Sequence, residues 1–338
     1  MTIRLFLLGG IAAFSLAGCN PELDVTAPYK ESTVVYAMLD KDSTTQYIKI
    51  NKTFLGPGNA FEYAQVPDST EFREGELEAV IHKVKNGVVV ASYTLRDTIW
   101  SHDPGIFAGP YHKLYYFTAA LDSSATYRLE ATAKGVLVRA ETPIVGRVAP
   151  APNILSQPLR LVAVGGGYVS PLMKFASADF GRRYDVSYRF RWDDVVGTDT
   201  ISRSFTQSMG SVVSNGIVGG EALSVTMSGE SFFQTVGLRA GNNTAASRRI
   251  FRGVDMIWAT AGPDLYNYLQ LGSPISGLVE ERPTYTNVEN GYGLFSTRRF
   301  LEVTFNGLNA QTIPELVQGQ YTAGLNFCVP GSSEFGCD

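Results

Sequence analysis

The stretch Leu77-Glu78-Ala79-Val80-Ile81-His82-Lys83-Val84-Lys85-Asn86-Gly87-Val88-Val89-Val90-Ala91-Ser92-Tyr93-Thr94-Leu95 decides the fold class. Two β-favouring runs, 77–84 and 88–95, flank the dipeptide Asn86-Gly87. A type I′ turn needs positive φ at both central positions, and Asn followed by Gly accepts this at the lowest steric cost. An antiparallel hairpin is therefore predicted. Working outward, the runs 33–39 and 46–51 precede it, and 115–119, 127–132 and 136–142 follow, with Gly135 turning the chain before the last. The segment from Phe54 to Phe72 carries Gly56-Pro57-Gly58 and Pro67 and reads as a loop. Seven or so short strands over about 120 residues form the pattern of an immunoglobulin-like sandwich. The Cys, Trp, Cys series of antibody domains is absent, so the pattern alone carries the assignment.

The run Val148-Ala149-Pro150-Ala151-Pro152-Asn153, with Pro158 after it, marks a linker at 148–158, because Pro interrupts both ladders and helices. It separates an expected sandwich at 28–147 from a β-rich C-terminal domain at 159–338. Strands are expected there at 159–164, 184–192, 200–205, 250–260 and 301–305, and Asn215-Gly216 reads as a second hairpin turn. About three short helices are expected. One runs over 228–240 behind Ser228, with Phe232, Phe233 and Val236 at helical spacing. One runs over 262–271, with Pro263 and Asp264 in its first turn and Leu265, Tyr268 and Leu269 on one face. The third opens on the capping-box pattern Thr312-Ile313-Pro314-Glu315 and stops at Gly319. The fold class expected is mainly β in two domains.

Composition agrees. The 338 residues are 44% hydrophobic and 18% charged, which is globular, and 17 Tyr, 19 Phe and 34 Gly suit short strands joined by tight turns. The net charge of −4 is spread over both halves, which excludes a nucleic-acid surface. One asymmetry stands out: residues 148–338 contain 13 Arg and a single Lys, Lys174, whereas 20–147 contain 8 Lys and 5 Arg. Arg forms bidentate contacts that Lys cannot, either in an anion or partner surface or, the favoured reading, in ion pairs across sheet faces.

The N-terminus carries an address. Arg4 precedes an apolar run from Leu5 to Ala17, shorter than the roughly 20 residues a spanning helix needs and the length of a secretory signal. Leu16-Ala17-Gly18-Cys19 resembles the lipobox of bacterial lipoproteins. That resemblance implies a signal peptide at 1–18, a diacylglycerol thioether on Cys19 with a further acyl chain (palmitate) on its amino group, and a tether at 19–27. Two or more acyl chains make a stable anchor where one is marginal. With Cys19 lipidated, Cys328 and Cys337 remain as an even pair in an oxidising compartment, a candidate disulfide, with free thiols or a metal pair as the alternatives.

Three stretches resemble a lipoprotein family of unknown function that is widespread in Bacteroidota and often encoded beside TonB-dependent transporters. They are the lipobox followed by Thr33-Val34-Val35-Tyr36; Tyr127-Arg128-Leu129-Glu130 with Gly135 and Ala140-Glu141-Thr142-Pro143; and Leu265-Tyr266-Asn267-Tyr268-Leu269 followed by Asn287-Val288-Glu289-Asn290-Gly291-Tyr292-Gly293-Leu294-Phe295. The resemblance implies an outer-membrane protein, on the periplasmic face or the cell surface, near nutrient uptake. It carries over no catalytic residue.

Motifs for chemistry are sparse. No Gly-x-Ser-x-Gly, Ser-x-x-Lys or His-Glu-x-x-His series occurs, so no catalytic residue is assigned. Asp193-Asp194 would point to opposite faces of a strand and reads as a turn after Trp192. Gly165-Gly166-Gly167 lacks the Lys-Ser/Thr of a phosphate loop. His102, Asp103 and His112 could meet in a loop, but no fixed ligand set is evident and no metal or cofactor is expected. His82 reads as a solvated strand residue. Trp100, Tyr111, Tyr115 and Tyr116 lie close in sequence and form a candidate glycan platform. The expected function is a non-catalytic, membrane-anchored binding or accessory protein, its partner a β-barrel transporter or a glycan. A surface adhesin or matrix protein is the alternative reading, and an envelope hydrolase the third.

Overall fold

The computed structural model describes residues 30–337, apart from 55–58, 102, 242–244 and 273–283. The signal peptide, Cys19 and the tether lie outside the described residues. The first half supplies β1 (Thr33–Leu39), β2 (Thr45–Lys52), β3 (Leu77–Lys85), β4 (Val88–Thr94), β5 (Arg96–Ser101), β6 (Tyr111–Thr118), β7 (Thr126–Ala133) and β8 (Val136–Pro143). The short helices α1 (Ala60–Ala64) and α2 (Pro67–Thr70) fall where a loop was expected: Asn59 caps one by accepting the Phe61 N–H, and Pro67 opens the other.

The β3–β4 hairpin forms as the Asn-Gly signal predicts. Asn86 and Gly87 take φ of 50° and 77°, and Lys85 pairs with Val88. The chain then crosses at Leu95 to a different sheet, where β5 pairs with β6. β5 escapes a pattern search because Arg96-Asp97-Thr98-Ile99-Trp100-Ser101 is an exposed edge without an apolar face. Sheet order β4-β3-β7-β8 faces β1, β2 and β6 across a core of Val35, Leu39, Ile48, Ile50, Ile81 and Leu129.

The second half adds β9 (Ala149–Pro150), α3 (Pro152–Ser156), β10 (Leu172–Ala176), β11 (Arg183–Val196), β12 (Asp199–Val213), β13 (Ala222–Thr226), α4 (Gly229–Ala240), β14 (Arg248–Ala261), α5 (Pro263–Gly272), β15 (Gly291–Thr304), α6 (Thr312–Gln318) and β16 (Phe327–Cys328). β11 and β14 back a second core in which Phe190 meets Trp192, Phe205, Phe232, Phe251 and Phe327 within ring-contact distance.

β15 joins the halves. It pairs antiparallel with β14 and, through its earlier residues, parallel with β1, so one sheet runs β12-β11-β14-β15-β1-β2-β6-β5. Both cores pack on that sheet, and residues 32–338 form one compact unit. The ladder Thr33↔Gly291 to Leu39↔Thr297 crosses the Pro-rich segment expected to be a linker.

Four local readings need correction. Residues 159–164 are not a strand: Leu159 and Val162 make isolated bridges to Leu308 and Tyr168, around a turn in which Gly165, Gly166 and Gly167 all have positive φ. Asn215-Gly216 is not a hairpin turn. Neither residue has positive φ, and Asn215 instead donates from its backbone and side chain to Glu221. The capping box of α6 does not form. The Thr312 hydroxyl accepts the Leu161 N–H at 2.9 Å, and Asn309 accepts the Thr312 N–H. Asp193 and Asp194 lie inside β11 rather than in a turn. α4 matches its expected span, with the Ser228 hydroxyl accepting the Ser231 N–H as cap.

Candidate functional site

Strand alternation sets the two faces of the β1–β2–β6–β5 portion of the sheet. Val35, Ala37, Ile48 and Ile50 point to the core, so Tyr36, Tyr47 and Lys49 point outward. On β6, Tyr115 and Phe117 share the core side, and His112, Leu114 and Tyr116 share the outer side. Register places Tyr47 opposite Tyr116, and Trp100 opposite His112. Trp100 is thus four residues along β6 from Tyr116. Its indole reaches back along the sheet to meet Tyr47, with centroids 5.1 Å apart and planes at 70°. Tyr47 also meets Tyr116 at 6.2 Å. Trp100 is 49% exposed and Tyr47 40% exposed, so the cluster is an open aromatic surface.

Of the four aromatics singled out in the sequence, the structure brings Trp100 and Tyr116 together, with Tyr47 between them. Tyr115 is a core residue at 8% exposure and leaves the platform, and burial pushes its phenol up to about 12. Tyr111 is exposed but pairs with Ser101 and so starts from the opposite side of the ladder. Tyr47 was legible from alternation: it sits between Gln46 and Ile48 in a strand whose even-numbered positions are buried. Lys49, next outward along β2, does not present its charge. Its Nζ donates to the Lys113 carbonyl at 3.0 Å and pairs with Glu71 at 3.6 Å, and burial lowers its pKa.

The arginines of the second half are largely spent on carboxylates within the sheet. Asp255 on β14 is fully buried and accepts from Arg191 Nε at 2.8 Å, Arg191 Nη2 at 3.0 Å, Arg189 Nε at 3.1 Å and the Thr304 hydroxyl at 2.7 Å. Burial would raise its pKa, and these hydrogen bonds outweigh burial and hold it below the usual carboxylate range. Asp193 pairs with Arg252 at 2.6 Å and accepts from Ser202, and its pKa is lowered on the same balance. Asp194 lies 3.3 Å from Arg249 and accepts the Trp192 indole N–H. Charge-assisted bonds of this kind explain Arg over Lys. The adjacent carboxylates Asp193 and Asp194 are each tied to separate arginines.

The remaining candidates resolve simply. His82 is half-buried, with Nδ1 2.8 Å from the Ser92 hydroxyl and Nε2 3.7 Å from Glu130. His102 lies outside the described residues, and among the described residues no three metal-ligating side chains gather. Cys328 and Cys337 are disulfide-bonded, with Cα atoms 5.1 Å apart. Among the described residues no helix is long and apolar enough to cross a membrane.

No protein-family model matches the chain. A search of characterised proteins returns no match. Among solved structures, the C-terminal globular domain of an oligosaccharyltransferase from Pyrococcus abyssi aligns at 12% identity over 59% of this chain and 52% of that one, with a TM-score of 0.24. The alignment spans about half of that chain, and at this TM-score it assigns neither fold nor function.

Proposed function

We propose that the chain is a lipid-anchored cell-envelope protein that binds carbohydrate on its outer sheet face without catalysis. The observation that carries the binding half is the exposed Tyr47–Trp100–Tyr116 cluster. The faces these rings leave in water can stack on the apolar C–H faces of a sugar ring. That Asp193, Asp194 and Asp255 are held in arginine ion pairs supports the non-catalytic half. The lipobox resemblance at Cys19 supports the anchor. The family resemblance supports an outer-membrane site and a role assisting a TonB-dependent transporter.

A glycan array with the mature chain tests the binding half. Retention is expected for the wild type, with a loss of about tenfold in affinity for Trp100→Ala and for Tyr47→Ala, the scale of one aromatic contact. Unchanged retention in both variants rejects the platform. Detergent phase partitioning tests the anchor: Cys19→Ala should move the protein to the aqueous phase with its melting curve unchanged. Recovery of a β-barrel protein in native-membrane pull-downs, and its loss from Cys19→Ala, tests the accessory role.

A further inference from the structure

A second aromatic site lies on the same sheet face as Tyr47. Tyr36 on β1 is opposite Lys49 on β2, so Tyr36 and Tyr47 are diagonal neighbours about 7–8 Å apart on one side of the ladder. Beyond Tyr36, α5 lies over β15 and leaves a cavity of about 410 Å³ lined by Tyr36, Tyr268, Leu271, Tyr285, Thr286 and Tyr292. Tyr36 and Tyr268 meet edge-on, with centroids 6.5 Å apart at 79°. Tyr285 donates its hydroxyl to Asp264 in the first turn of α5 at 2.6 Å, which fixes that wall. Gly293 forms part of the floor, where a side chain would overlap the Val35 carbonyl oxygen.

The chemistry of this lining is specific. Four phenol rings supply apolar walls, and phenol and threonine hydroxyls supply donors and acceptors. Among the described residues no charged side chain lines the cavity. Burial raises the pKa of Tyr36, and burial with Asp264 raises that of Tyr285, so both phenols keep their protons at neutral pH. Among the described lining residues a charged ligand would find no counter-charge, whereas the hydroxyls of a neutral ligand can exchange hydrogen bonds with the phenol and threonine hydroxyls.

Building on the carbohydrate reading above, we propose that this cavity takes one neutral sugar residue, and that the cavity and the Trp100 platform hold successive parts of a single neutral oligosaccharide. The run Trp100, Tyr47, Tyr36, Tyr268 is the track between them.

Titration calorimetry of the mature chain with neutral oligosaccharides of increasing length, and with uronic-acid-containing chains of equal length, tests this. Affinity should rise with length until both sites are filled, and neutral chains should bind tighter than acidic ones. Tyr268→Ala should abolish the length dependence, with about tenfold loss on long chains and none on short ones. Trp100→Ala should weaken both. Tyr292→Ala, at an exposed ring, gives the same readout if Tyr268→Ala does not fold. Wild-type binding that is lost in Trp100→Ala but kept in Tyr268→Ala and Tyr292→Ala overturns the cavity alone. A preference for acidic chains overturns the neutral class. Absence of glycan binding by the wild type overturns the carbohydrate reading itself, and the cavity proposal with it.

Discussion

Asn287 and Phe295 exchange two hydrogen bonds: the Asn287 side-chain amide donates to the Phe295 carbonyl at 2.8 Å, and the Phe295 N–H donates to the Asn287 side-chain oxygen at 2.9 Å. One side chain thereby imitates a neighbouring strand at the start of β15. It ties the segment bearing Tyr285 and Thr286 to the sheet and sets one wall of the tyrosine cavity.

Replacing Asn287 by Ala strands a donor and an acceptor on Phe295, a buried residue. The expected cost is about 1–3 kcal/mol in chemical denaturation. Asn287→Asp keeps the acceptor and should fall between Ala and the wild type. Equal stability of all three proteins would show that the pair is incidental.

Gly293 has φ of +112°, and a Cβ there would overlap the Val35 carbonyl oxygen across the β1–β15 ladder. Backbone strain and overpacking of about 1–3 kcal/mol each add to about 2–6 kcal/mol for Gly293→Ala. Thermal melts read this directly. A variant with a wild-type midpoint would mean that the parallel ladder is looser than the structure describes.

Acid should unfold the protein through its paired carboxylates. The folded-state pKa values of Asp255, Asp193 and Asp42 are lowered, Asp42 by Arg299. A lowered folded pKa contributes stability that is complete above the unfolded value, about 3.9, and is lost as pH falls through the folded one. Melting points measured from pH 7 downward should therefore hold to about pH 5 and then decline. In Asp255→Asn the protein should be less stable at pH 7, because two arginines lose their counter-charge, and its decline with acid should be shallower. A parallel decline in both proteins would remove Asp255 from the account.

The disulfide closes a short loop at the C-terminus, where Arg248 also donates to the Cys337 carbonyl at 2.6 Å. Loop-closure entropy for this separation is roughly 2–3 kcal/mol. Reduction, or Cys337→Ser, should lower the unfolding free energy by about that amount and leave the folded far-ultraviolet spectrum unchanged. Collapse of the whole fold on reduction would show a larger role than tail ordering.

Much of the local structure was legible. The Asn86-Gly87 hairpin, the spans of β1, β2, β7 and α4, and the stop of α6 at Gly319 all follow from backbone chemistry within a few residues. Elements whose partners are distant were read too short or missed. The expectation of β15 covers only 301–305 because its earlier residues Gly293 to Thr297 are all buried rather than alternating with solvent. The candidate site was half legible. Closeness in sequence points to Trp100 and Tyr116, while Tyr115, a neighbour in the same strand as Tyr116, faces the core.

By itself the sequence determined a β-rich chain and its strongest hairpin, because β-favouring runs and Asn-Gly turn chemistry act within a few residues. Only the tertiary structure decided that β1 lies beside β15, whose Thr297 hydroxyl donates to the Leu39 carbonyl across 258 positions of chain. That pairing makes one sheet of two halves and brings Tyr268, Tyr285 and Tyr292 to Tyr36. No window of sequence encodes it, because a parallel ladder needs a long crossover and is selected by how whole surfaces fit, not by the residues that flank either strand.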